Sequence, residues 1–157
     1  MQEQHYFTMA LTRIKNLGPV LGKSLIQHCG SAEAVFKEKS KNLLKINGVG
    51  TSLIHSLQSA QVFKRTDQEI HYITDNDIEV FAYNESDYPE RLKHCFDAPL
   101  VLFYKGNIDG LQRRPISIVG TRQMTDYGRE FLIYFMHDIV PYTPTVLSGL
   151  AYCIDIN

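Results

Sequence analysis

Phe7, Ala10, Leu11 and Ile14 recur at the three- and four-residue spacing of one helical face, and Leu21, Leu25 and Ile26 repeat it. Between the two stripes, Leu17-Gly18-Pro19-Val20 breaks the period and predicts a tight turn. The plan returns about 30 residues later: Leu43-Leu44-Lys45-Ile46, the turn Asn47-Gly48-Val49-Gly50, then a stripe through Leu53, Ile54 and Leu57. A further helix is predicted over about 59–72. The texture then changes. Residues 78–83 alternate as a strand, and 100–104 form a short apolar run that ends at Lys105-Gly106. Pro115-Ile116-Ser117-Ile118-Val119-Gly120 is β-branched and bounded by Pro and Gly. A helix over about 126–139, with Thr125 as its N-cap, leads to Thr145-Val146-Leu147-Ser148-Gly149. Strand, helix, strand in that order predicts a right-handed crossover and a parallel pair. The strands at 116–120 and 146–148 are nearly all apolar, the composition of central strands covered on both faces. Tyr127, Phe131, Tyr134 and Phe135, three and four apart on the crossover helix, read as core rather than as a platform for bases. The expected architecture is α/β: an all-α module over 1–75, then the start of a parallel sheet over 76–157.

Composition adds class limits. Hydrophobic residues make up 44% and charged residues 21%, an ordinary globular balance. No apolar run reaches the ~18 residues of a membrane span. Met1-Gln2-Glu3-Gln4-His5 lacks the basic-then-apolar plan of a secretion signal, so a cytoplasmic location is expected, with no membrane contact. Cys29, Cys95 and Cys153 are scattered, as are six histidines, so neither a disulfide framework nor a metal site is expected. The net charge of −1 hides an asymmetry: residues 1–66 hold nine Lys/Arg against three Asp/Glu, residues 67–109 three against ten, and residues 110–157 four of each. A basic block attracts nucleic acid, or is simply a solvated helical face. Lys37, Lys39, Lys41 and Lys45 divide between the same readings, a phosphate track or a solvated loop, and the loop is expected.

Candidate chemistry gathers at two loops. Gly120-Thr121-Arg122 and Ser148-Gly149-Leu150-Ala151 follow the two parallel strands. In open α/β sheets ligands bind outside the carboxyl ends of the strands. Small residues there let backbone amides approach an anion, and an arginine fork binds phosphate oxygens in bidentate fashion. A dinucleotide cofactor does not fit, because 120–128 is not G-x-G-x-x-G and the second strand ends in Ser148 rather than an acidic residue. A phosphate loop of the G-x-x-x-x-G-K-[ST] type is also absent, so no cofactor is expected. Asp126, Glu130 and Asp138 read as first-turn and surface carboxylates, and no catalytic site emerges. In the helical module, Gly48-Val49-Gly50 resembles a helix-hairpin-helix turn, a possible secondary DNA contact whose N–H groups can meet a phosphate; the two glycines equally serve a close turn at positive φ.

Three ordered motifs carry a family resemblance. They are Tyr88-Pro89-Glu90-Arg91-Leu92 with Asp97-Ala98-Pro99-Leu100-Val101-Leu102-Phe103-Tyr104-Lys105-Gly106; Ile118-Val119-Gly120-Thr121-Arg122 with Tyr127-Gly128; and Ser148-Gly149-Leu150-Ala151 with Ile154-Asp155. The chain resembles the DNA-processing protein A (DprA/Smf) family. The resemblance implies an extended Rossmann-like domain that binds single-stranded DNA phosphates and does no catalysis. It also implies loading of RecA recombinase on incoming DNA during natural transformation, and homodimerisation. By matching position, Arg122 is the phosphate-contacting arginine, Gly120 and Thr121 shape its loop, and Ser148 and Gly149 form the neighbouring rim. Cys153 stands where the family motif has glycine. The family's Rossmann-like domain runs well beyond this length, so the chain is expected to be an amino-terminal part with an incomplete sheet, and not a well-behaved monomer. Two other readings stand beside this one: a Rossmann-like hydrolase of nucleotide derivatives, and a protein-docking module without DNA contact.

Overall fold

A computed structural model of the chain describes residues 3–107, 115–120 and 123–149. It contains two compact units, residues 1–105 and 106–157. The first holds six helices, α1 (Glu3–Thr12), α2 (Pro19–Cys29), α3 (Ala32–Lys37), α4 (Ser40–Leu43), α5 (Thr51–Leu57) and α6 (Ala60–Asp75), followed by strand β1 (Glu79–Ala82), short helix α7 (Glu90–Lys93) and strand β2 (Val101–Tyr104). In the second unit, β3 (Pro115–Ile118), α8 (Asp126–Ile139), a 3-10 turn (Val140–Tyr142) and β4 (Thr145–Ser148) follow in order. None of the described helices is long and apolar enough to cross a membrane.

The predicted stripes become the core of the first unit. Ala10, Leu11 and Ile14 of α1 and its continuation are buried, with Leu25, Leu53, Ile54 and Leu57 from the next copies of the pattern. α1 packs against α2, α3, α6 and both strands, and is the element around which the unit closes. Helix ends follow local chemistry. Ser31 and Ser59 cap α3 and α6, their hydroxyls accepting the N–H groups of Ala34 and Gln61. Gly30 ends α2 at φ 93°, a left-handed conformation that favours glycine. β1 and β2 pair antiparallel (Glu79 opposite Tyr104, Ala82 opposite Val101) and pack on α1, within the unit that runs to Lys105.

The second unit has the expected strand–helix–strand order, and β3 and β4 pair in parallel, Ile116 opposite Val146 and Ile118 opposite Ser148. The strands are half-buried rather than covered on both faces. Thr125 caps α8, accepting the Gly128 N–H at 3.1 Å. Leu132, Phe135, Met136 and Ile139 form the half-buried stripe of α8 at i, i+3, i+4 and i+7. Tyr127, Phe131 and Tyr134 are exposed, at 78%, 58% and 70%, so the expectation that they are core does not hold. The helix carries two apolar stripes, and a two-stranded ladder offers cover no wider than one.

Candidate functional site

Parallel register brings the two strand-end loops to one edge. With Ile118 level with Ser148, Val119-Gly120 leaves β3 at the same height as Gly149 leaves β4. Gly120, Ser148 and Gly149 are all exposed there, and Val119 is 89% exposed. The start of α8 follows the β3 loop within the same crossover, and the positive end of a helix dipole favours anions near its first turn. Part of that capacity is already committed: Thr125 Oγ1 takes the Gly128 N–H, and Asp126 places a carboxylate in the first turn. A Cβ at Gly128 would sit 3.3 Å from Thr125 Oγ1, so the glycine of the Tyr127-Gly128 pair keeps room for the cap. Thr121 and Arg122, the remaining sequence candidates at this edge, lie outside the described residues, as do Cys153 and Asp155.

Gly48, Val49 and Gly50 lie in the first unit. Gly48 has φ 90°, Val49 is buried, and Gly50 is the extended N-cap of α5 with no side-chain cap of its own. The turn before α2 has the same build. Asn16 has φ 65°, Leu17 follows, and Gly18 is an extended N-cap ahead of Pro19. The backbone bonds also correspond: the Leu17 N–H donates to Ile14 O at 3.2 Å and the Val49 N–H to Ile46 O at 3.1 Å. Gly22 N–H to Gly18 O and Ile54 N–H to Gly50 O complete the parallel. The repeat seen in the hydrophobic pattern is therefore a repeat in backbone conformation.

The structure gives some motif residues a role that the sequence did not suggest. Tyr88 is buried, its hydroxyl donating to Pro99 O at 2.9 Å and its ring set edge-on to Tyr83 at 5.6 Å. Burial, with Tyr83 and Cys95 nearby, pushes the Tyr88 hydroxyl up to about 12. The Tyr88-Pro89 and Ala98-Pro99-Leu100 motifs thus lock onto each other. The lock is tied to α2. Lys23 Nζ donates to Phe96 O at 3.0 Å and lies 4.1 Å from the centre of the Tyr83 ring, while Gly22 leaves its space to Leu100. No sequence signal marked Lys23, because its partners are more than fifty residues away. His5 Nε2 and Glu85 Oε1 are 2.5 Å apart, and the other Glu85 oxygen accepts the Ala82 N–H. Among the described residues no group of three or more His, Cys, Asp or Glu side chains is placed to hold a metal ion.

Residues 79–157 match the model of the family described as DNA recombination-mediator protein A. Protein Smf of Synechocystis is 29% identical over 159 aligned positions, covering 99% of this chain and 40% of that protein. DNA processing protein DprA of Bacillus subtilis is 38% identical over 79 positions, 50% of this chain and 27% of the relative. Its Streptococcus pneumoniae counterpart is 33% identical over 75 positions, 48% of this chain and 26% of the relative. The chain thus spans about 40% or less of the length of these curated relatives.

Proposed function

The chain belongs to the DNA recombination-mediator protein A family, and from that membership we propose that it is part of a mediator that holds single-stranded DNA by its phosphates at the carboxyl ends of β3 and β4. The observation that carries this reading is the parallel, in-register β3–β4 pair, whose exposed small residues Gly120, Ser148 and Gly149 share one edge within the segment matched by the family. In this reading the second unit is the beginning of a Rossmann-like sheet. The Gly120-Thr121 backbone and the Ser148-Gly149 rim receive the phosphates, and the Arg122 guanidinium supplies charge in a planar fork. No bond is made or broken. The function is to present the strand to a RecA recombinase during natural transformation, with the protein acting as a homo-oligomer in the cytoplasm. The first unit, with its two glycine-capped turns, is the helix-hairpin-helix-like partner of that sheet, and Gly48-Val49-Gly50 is its secondary contact with DNA.

Arg122→Ala tests the strand-end site. Affinity for a labelled single-stranded oligonucleotide, followed by fluorescence anisotropy, is expected to fall by about 1–3 kcal/mol, the loss of a hydrogen bond to a charged group. The slope of log affinity against log salt should also fall by about one unit. A variant with native circular dichroism and unchanged affinity and slope would remove Arg122 from the site.

A further inference from the structure

We propose a further nucleic-acid surface on the first unit, apart from the Gly48-Val49-Gly50 turn: a basic corner where the start of α4 meets the start of α6, fitted to a phosphate backbone. Gln58 Nε2 donates to Ser40 Oγ at 3.2 Å and so ties the first residue of α4 to the residue preceding the α6 cap, Ser59. Lys39 and Lys41 flank Ser40. Lys64 and Arg65 lie one turn along α6, on its solvent side with Gln61 and Gln68. Lys45 follows on from α4. All five cations are exposed, and none makes an ion pair or side-chain hydrogen bond with a described residue.

Acids lie close to these cations, and each has a further partner of its own. Glu33 pairs with Lys37. Glu38 accepts the Lys39 N–H and Asn42 Nδ2, both at 2.8 Å, and those bonds hold its carboxyl below the usual range. On α6, Asp67 accepts the Tyr6 hydroxyl and Glu69 pairs with Arg13, each at 2.9 Å. Over residues 33–69 six Lys/Arg stand against four Asp/Glu, so the corner keeps a net positive charge. A regularly charged polyanion is the ligand that gains most from it, through release of counterions. The partner class is the same as that of the strand-end site and the residues are all different, so either surface can fail alone.

The test uses the 157-residue chain with two double variants, Lys39→Gln with Lys41→Gln and Lys64→Gln with Arg65→Gln, and their combination. Each is titrated with labelled single-stranded and duplex DNA across a salt series. Exposed Lys→Gln changes on helices leave the fold intact, which circular dichroism checks. The quadruple variant is expected to bind at least about tenfold more weakly at low salt, with a salt slope lower by about three units, since each of four neutralised phosphates contributes roughly 0.7–0.9. The larger loss, on the single strand or on the duplex, identifies which form the corner prefers. The same loss on top of Arg122→Ala would establish a separate surface. Wild-type affinity and slope in the quadruple variant would overturn the proposal, whatever Arg122→Ala does. So would binding of a polyglutamate peptide of equal charge with no binding of either DNA.

Discussion

Tyr88→Phe removes a single oxygen atom, and its effect should change sign with pH. At neutral pH the hydroxyl donates to Pro99 O at 2.9 Å from a side chain that is 1% exposed. Loss of that bond costs about 1 kcal/mol, the usual net value of an internal hydrogen bond. Alkaline pH works against the wild type. Burial first, and the nearby Tyr83 and Cys95 second, raise the hydroxyl from its ordinary 10.0 to about 12. The folded state therefore favours the neutral form, and this contribution is complete below pH 10. As pH rises through 10 toward 12, the unfolded chain ionises first. Wild-type stability then falls by about 1.4 kcal/mol per pH unit, on the order of 2–3 kcal/mol in all. Phenylalanine has no proton to lose. The variant should be less stable by about 1 kcal/mol at pH 8, equal to wild type close to pH 11, and more stable above that. Guanidinium unfolding followed by far-ultraviolet circular dichroism at pH 8, 10 and 11 measures the crossing. A stability gap that stays constant with pH, or the lack of one at pH 8, would refute the placement of Tyr88 as a buried, bonded lock.

Gly48→Ala is expected to cost about 1–2 kcal/mol in the same assay, because φ 90° is strained for any residue with a Cβ. Gly50→Ser, at an extended N-cap with open space around it, should leave stability within about 0.5 kcal/mol of wild type or raise it; a large loss would mean that the turn is packed more tightly than described. Thr125→Ala removes the side-chain cap of α8 and should cost about 1 kcal/mol, with Thr125→Ser recovering most of it.

Local pattern made some of this fold legible and left other parts dark. The stripes through Ala10, Leu11 and Ile14 and through Leu53, Ile54 and Leu57 are buried as their spacing implies, because a helical face depends on residues within one turn of each other. The extent of α8 and its Thr125 cap could be read for the same reason, and the parallel pairing of β3 with β4 from the strand–helix–strand order. The antiparallel partnership of β1 and β2 could not, since eighteen residues separate Ala82 from Val101 and no turn signature joins them. Tyr88 with Pro99, Lys23 with Tyr83 and His5 with Glu85 were invisible, because each joins residues that only the assembled unit brings together. At the strand-end site, the common edge of Gly120, Ser148 and Gly149 follows from strand order, while Thr121 and Arg122 lie outside the described residues and their proposed part rests on loop position and family resemblance. Exposure of Tyr127, Phe131 and Tyr134 defied the pattern, because helical spacing shows that a stripe is apolar but not what covers it.

The two glycine-capped turns share a backbone path yet differ in the freedom they surrender on folding. Asn16-Leu17-Gly18-Pro19 has one glycine and a proline whose φ is set before folding begins, whereas Gly48-Val49-Gly50-Thr51 has two glycines and no such restraint. The unfolded ensemble of the second turn is accordingly much broader, and closing it costs more conformational entropy for the same hydrogen bonds. The longer helix, α2 with 11 residues against 7 in α5, lies behind the cheaper turn. Amide exchange is expected to be faster at the turn between α4 and α5 than at the turn between α1 and α2.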